Sequence, residues 1–270
     1  MALEYFITQI YEIQTPCEAE KMVDMGVDHV GSVLVSESEW RIPEIRETVS
    51  RVRSADAKSS LIPLFNTLDT VCRAMDYYRP HGVHFCENLT GPRGISEDCP
   101  RLMEIQAAVK ERFPEIWIMR SIPIARPGKS GLVPTLELGR RFEPVSDFFL
   151  TDTLIFGETG EDVSDDQPVK GFVGITGKTC DWDMAGSLIR QSSIPVILAG
   201  GLGPDNVFNA IVKTRPAGVD SCTGTNALDP SGRPVRFKKD VNKVKIFIEA
   251  ARRAALQINF KGENADVRKQ

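Results

Sequence analysis

Eight short apolar segments, each leading into a stretch of helical periodicity, restrict the folds open to this 270-residue chain more than any other feature. They occupy residues 5–13, 29–35, 61–65, 82–86, 116–122, 147–151, 195–199 and 218–222. A strand, a helix and the next parallel strand connect right-handedly, and repeating that unit yields either a closed barrel or an open doubly wound sheet. Closure is expected here. The count is eight, no G-x-G-x-x-G turn occurs early, and the glycine-rich turns come last, whereas a dinucleotide-binding sheet puts its glycine turn first. The expected architecture is α/β: a single-domain (β/α)8 TIM barrel over residues 1–258, closed by an amphipathic helix over 241–256, with a flexible C-terminal tail over 259–270.

Two late turns indicate what such a barrel would bind. After the segment 195–199 come Gly200, Gly201, Leu202 and Gly203, with Pro204 suited to the first position of a helix. Unpaired N–H groups and the dipole at a helix N-terminus favour an anion, and glycine lets the ligand reach the backbone. The last strand runs into a second polar turn, Thr223, Gly224 and Thr225. Barrels of this kind bind phosphate on the loops after strands 7 and 8. These two turns are therefore the expected phosphate-binding residues.

Composition narrows the partner. A net charge of -4 leaves no electrostatic footprint for nucleic acid or an anionic membrane surface. No apolar run approaches the roughly 18 residues of a transmembrane helix, and Met1-Ala2-Leu3-Glu4 lacks the basic-then-apolar pattern of a secretory leader. A cytoplasmic location follows by default. The six cysteines (Cys17, Cys72, Cys86, Cys99, Cys180, Cys222) form no C-x-x-C pair, and the three histidines have no metal-ligand spacing, so neither metal nor cofactor is expected. Of the thiols only Cys86 has a position that suggests chemistry, at the end of the fourth strand. The acidic stretch 157–170 reads as a solvated excursion.

Several strings resemble the phosphoribosylanthranilate isomerases of tryptophan biosynthesis: 147–153 (DFFLTDT), 176–182 (TGKTCDW), 195–202 (PVILAGGL) with Pro204 and Asn206, and 220–224 (DSCTG). The resemblance spans roughly residues 8–250 and is weaker in the first half, where Phe65-Asn66 and the spacing around Gly31 carry it. It implies an Amadori rearrangement. An aspartic acid protonates the furanose oxygen, a cysteine thiolate removes the C2 proton from the Schiff base, and the enolamine becomes a ketone. On the match the acid is Asp152, and the end of a barrel strand is where general-acid work requires it. Thr176, Gly177 and Lys178 fall in a matching motif and are expected to touch substrate.

The base departs from the pattern. Tyr11 stands where the family has its cysteine. With reference pKa values near 10 and 8.5, a tyrosine's anionic fraction at neutral pH is roughly thirty-fold smaller than a cysteine's unless the site shifts it. Three alternatives stay open: Tyr11 with a depressed pKa, Glu12 as base, or Cys86 acting from the end of strand 4. His84 stands where the family has a glutamine. The family's arginine after strand 2 aligns with Trp40, or with Arg41 after a one-residue shift, and its lysine on strand 5 is replaced by Arg120; Arg41, His84 and Arg120 are thus expected substrate contacts. The phosphate end is kept while the anthranilate and proton-abstraction end is altered. The expectation is an isomerase-type enzyme acting on a small phosphorylated sugar derivative, as a monomer or homodimer. The alternatives are a barrel that binds a phosphosugar without isomerising it, or one acting on a different phosphosugar. A Schiff-base aldolase lacks a lysine at any placed strand end, and a metal-dependent epimerase would want more ligands than His84 and Asp152.

Overall fold

The computed structural model describes residues 6–91, 94–155 and 169–267, with the side chains of the closing helix described as far as Ile258. Eight parallel strands close into a barrel: β1 (Ile7–Ile10), β2 (His29–Leu34), β3 (Lys58–Pro63), β4 (Gly82–Phe85), β5 (Trp117–Ala125), β6 (Phe148–Leu154), β7 (Val196–Leu198) and β8 (Gly218–Ser221). Closure is made by β8 against β1, with Ile7 opposite Gly218 and Ile10 opposite Ser221. Eight helices follow the strands: α1 (Pro16–Asp24), α2 (Pro43–Arg53), α3 (Leu68–Tyr78), α4 (Cys99–Arg112), α5 (Thr135–Phe142), α6 (Trp182–Gln191), α7 (Val207–Thr214) and α8 (Val241–Val267). All eight strands lie where the apolar segments predict.

Alternation decides which side chains enter the barrel. Tyr11, Ser60, His84, Met119 and Ser121 come from or just beyond four different strands, yet touch one another through hydrogen bonds, which is possible only inside. At the N-terminal end the interior is closed by His29, Trp117 and Phe148, whose rings pack at 5.4 to 6.2 Å between centroids. Two glycines make room for interior aromatics. A Cβ on Gly31 would lie 2.0 Å from the Tyr11 ring, and one on Gly82 would lie 2.1 Å from the Trp117 indole. The opposite strand faces bury Val30, Ile118, Phe149 and Val219 against the helical sleeve, including the fully buried Phe142 and Phe247.

Three boundaries differ from expectation. The strand β6 runs through Leu154, so Asp152 is inside the strand rather than just past it. The helix α7 begins at Val207 with Asn206 as its cap residue, not at Pro204. The Asn206 side chain causes this by accepting from the Gly203 N–H at 2.9 Å and donating to the Gly201 carbonyl at 2.9 Å, which holds 200–206 as a loop. Past Leu256 the α8 backbone stays helical to Val267, overlapping the stretch expected as a tail. Most of the acidic excursion 157–170 lies outside the described residues. An antiparallel ribbon that periodicity did not reveal, Asn226–Leu228 with Pro234–Lys239, folds back after β8. No helix among the described residues is long and apolar enough to cross a membrane.

Candidate active site

Two chambers share a wall at the C-terminal mouth of the barrel. The first, about 310 Å³ with its opening, is lined by Thr176, Gly177, the turn Gly200–Leu202 and the turn Thr223–Gly224. These turns interlock: a Cβ on Gly224 would lie 2.1 Å from the Leu202 carbonyl oxygen, and one on Gly201 would lie 2.5 Å from the Lys178 backbone. Gly200 and Gly201 also adopt φ of 92° and 62°, open to glycine at little cost. Among the described residues, the N–H groups of Gly200, Gly201, Leu202, Thr223 and Gly224 have no protein acceptor. Among the described residues no lysine or arginine lines the chamber, so the positive potential it offers comes from backbone N–H groups.

The second chamber, about 430 Å³ with its opening, is mainly apolar and is walled by Val33, Ile62, Leu64, Leu150 and Val173. That lining suits a flat aromatic group. Asp152, Ile175, Asp220 and Cys222 line both chambers and so mark the junction. Ile175 holds a left-handed backbone, φ 62°, as does Glu12 at φ 64°. Such strain in non-glycine residues costs on the order of 1–3 kcal/mol each; here both residues line the cavity.

Burial sets the proton inventory. Desolvation raises the Asp152 carboxyl to about 7, opposed by the Thr153 N–H that donates to its Oδ1 at 2.8 Å. The Asp220 carboxyl rises to about 8, again mainly through burial and against the Gln9 amide that donates to its Oδ1 at 3.2 Å. Desolvation lowers His84 to about 3 and His29 to about 4, so both imidazoles are neutral at physiological pH. The barrel interior carries little net charge, and Asp152 is positioned to donate a proton near neutrality.

The structure gathers only part of the expected site. Asp152, Gly200, Gly201, Leu202, Thr176, Gly177, Thr223 and Gly224 line the first chamber, while Tyr11, Glu12, His84 and Cys86 line the second. Gly203 and Thr225 do not line the first chamber: the Gly203 N–H is taken by Asn206, and the Thr225 hydroxyl donates to the Cys222 carbonyl at 3.1 Å. The Lys178 side chain lines neither chamber, and its carbonyl accepts from Thr153 Oγ1 at 2.6 Å.

Arg120 is outside the barrel. It alternates with the inward Met119 and Ser121, so its guanidinium enters the helical layer, where Nη1 donates to Glu87 at 2.6 Å and Nε to Gln106 at 2.6 Å. Arg41 is likewise elsewhere, with its guanidinium over the Tyr77 ring at 4.7 Å. Arg120→Leu leaves Glu87 as an unpaired buried charge, so it is expected to cost about 3–5 kcal/mol in unfolding free energy. Substrate KM should be unchanged in the folded fraction; denaturant melts with steady-state kinetics check both.

Tyr11 does not act as a low-pKa phenol. Its hydroxyl is hydrogen-bonded to Ser60 Oγ at 2.7 Å and His84 Nδ1 at 2.9 Å, and burial pushes its pKa well above the ordinary value. His84 spends its other nitrogen on Ser121 at 2.8 Å and has no donor left for substrate. Burial also pushes the Cys86 thiol well up, with Glu87 adding to the shift. Tyr11→Phe is expected to keep kcat within a few-fold while costing about 1–3 kcal/mol of stability by leaving buried partners unpaired. Loss of turnover in that variant at unchanged fold would restore Tyr11 as base.

Three residues escaped sequence reasoning. Asp220 and Cys222 stand two positions apart and so share the inward face at the end of the last strand, a signal carried by period-2 alternation. Arg236, whose Nε donates to Glu12 Oε1 at 2.7 Å, had none, since 224 residues separate the partners.

Comparison with known proteins agrees with this geometry. The family model described as N-(5'phosphoribosyl)anthranilate (PRA) isomerase matches residues 138–250, the half that carries Asp152 and both turns. The N-(5'-phosphoribosyl)anthranilate isomerase of Methanosarcina acetivorans is 38% identical over 249 residues, covering 90% of this chain and 92% of that protein. The chain belongs to the phosphoribosylanthranilate isomerase family. Several other curated relatives match over about half their length, as does isomerase 2 of Methanosarcina mazei, 34% identical over 54% of this chain and 53% of that one. In structure, the isomerase from Pyrococcus furiosus superimposes with a TM-score of 0.61 at 20% identity, over 92% of this chain and 100% of that chain. A phosphoribosyl anthranilate isomerase in complex with reduced 1-(o-carboxyphenylamino)-1-deoxyribulose 5-phosphate superimposes at 0.61 with 19% identity, over 92% and 99%. At such identities the structural likeness shows the shared barrel fold.

Proposed function

We propose that the protein isomerises N-(5-phosphoribosyl)anthranilate to the corresponding aminoketose phosphate, as a monomer or homodimer. The observation that carries this reading is the position of Asp152, at the junction of an amide-lined chamber and an apolar one, with its proton retained to about pH 7. The phosphoryl group takes the N–H groups of Gly201, Leu202 and Gly224, and the anthranilate ring takes the pocket of Ile62, Leu64 and Val173. The ribose then lies across the junction. Asp152 protonates the ring oxygen, the C1–O bond opens to an iminium, and removal of the C2 proton gives the enolamine, which tautomerises to the ketone. The phosphoryl charge adds to burial in keeping Asp152 protonated, because a nearby anion disfavours a second one.

Anthranilate fluorescence reports the reaction directly. The purified protein is expected to consume phosphoribosylanthranilate and to restore growth of a tryptophan auxotroph lacking this isomerase. Folded protein that binds inorganic phosphate but turns over none of the substrate would contradict the reading and favour a phosphosugar-binding barrel.

A further inference from the structure

With the Tyr11 phenol held among Ser60 and His84, the reaction above needs another group to take the C2 proton. C1 and C2 lie between the phosphoryl and aryl groups, so that group must reach the junction of the chambers. Three titratable side chains do: Asp152, Asp220 and Cys222. Asp152 is the acid. Asp220 is pinned by the Gln9 amide through Oδ1. Cys222 remains: burial pushes its thiol well up as it does Cys86, with Glu12 and Asp220 adding to the shift, but unlike Cys86 it reaches the junction, so it acts as base only if its proton passes to an adjacent acceptor.

Its surroundings supply a proton acceptor. Glu12 is 1% exposed, lines the apolar chamber and lies beside the Cys222 thiol. The Arg236 guanidinium holds Oε1, while Oε2 is buried with no hydrogen-bond partner among the described residues. Adjacent strands fix the pair, since the Tyr11 N–H donates to the Ser221 carbonyl at 3.3 Å. Lys239, from the same ribbon as Arg236, donates through Nζ to the Cys222 carbonyl at 2.8 Å. The ribbon after β8 thus clamps both members of the pair.

We propose that Cys222 is the base of the isomerisation and that Glu12, held by Arg236, takes the thiol's own proton. The assignment rests on the isomerase reading. Cys222 S–H passes its proton to Glu12 Oε2, the thiolate takes the C2 proton, and the C2–H electron pair forms the C1–C2 double bond as the iminium nitrogen is neutralised. The thiol is regenerated, Glu12 ends protonated and Asp152 ionised. Subsequent tautomerisation, with proton exchange through the site, restores both carboxyls.

The test combines kinetics with thiol labelling on the full chain. Cys222→Ala and the near-isosteric Cys222→Ser are expected to lower kcat by about a thousandfold with KM within threefold. Glu12→Gln is expected to lower kcat similarly yet to speed iodoacetamide labelling of Cys222, because the lost carboxylate charge no longer holds the thiol's pKa up; labelling is read by peptide mass against the exposed Cys17 of the same molecule. Cys222→Ala that keeps kcat within about tenfold, or Glu12→Gln that leaves the labelling rate unchanged, overturns the assignment alone. Wild-type protein without turnover overturns the isomerase reading and takes this assignment with it.

Discussion

Asp152→Asn is expected to lower kcat by about 10²–10⁴-fold while KM stays within a few-fold, because the amide keeps the shape and loses the proton. The wild-type rate should fall as pH rises through about 7, where burial places the carboxyl's ionisation, and the variant should lack that limb. Stability supplies an independent readout with a definite sign. In the unfolded chain the group ionises near 3.8, and in the folded protein near 7, so between those values the folded state binds more protons. Stability attributable to Asp152 is therefore full below the unfolded value and declines as pH rises to about 7. Asp220, raised to about 8, acts in the same direction. Asp152→Asn is thus expected to be inactive yet to melt higher than wild type at pH 8. A variant both inactive and less stable at that pH would assign Asp152 to the architecture instead.

The second large effect concerns the anion chamber. Gly201→Ala places a Cβ 2.5 Å from the Lys178 backbone at a φ of 62°, and Gly224→Ala places one 2.1 Å from the Leu202 carbonyl. Neither obstacle is the end of a flexible side chain, so one turn must move away from the other. Each hydrogen bond from a backbone N–H to a charged oxygen is worth about 1.5–3 kcal/mol, so losing one or two should raise KM by about 10²-fold. Inorganic phosphate, as a competitive inhibitor, should weaken in parallel. Apolar aromatic ligands should keep their affinity, since the second chamber is walled by other strands. Unchanged phosphate inhibition in both variants would place the phosphoryl group elsewhere.

Much of this molecule is legible in its sequence, for reasons that also explain the misses. Buried parallel strands read as short apolar runs, so all eight strands are visible, and Asp152 and the two glycine turns mark the mouth because they end such runs. Period-2 alternation carries the inward and outward assignments. Counting from Met119 sends Arg120 outward, and counting from Asp152 and Asp220 puts acid and thiol on facing interior walls. Pro204 suits a first helical position and so points to an early start of α7, yet Asn206, which ties Gly203 and Gly201 into a loop, is the cap residue two positions on. No local pattern encodes the Glu12–Arg236 pair or the stacking of Arg41 on Tyr77, since both are produced by tertiary packing of distant segments.

A crystal structure of the full chain with a reduced aminoketose 5-phosphate would show where the phosphoryl and aryl groups sit. The phosphoryl oxygens are expected on the N–H groups of Gly201, Leu202 and Gly224, the aryl ring between Ile62, Leu64 and Val173, and Asp152 facing the sugar oxygens. A phosphoryl group bound by side chains away from these two turns, or an aryl ring left outside the barrel mouth, would contradict this placement.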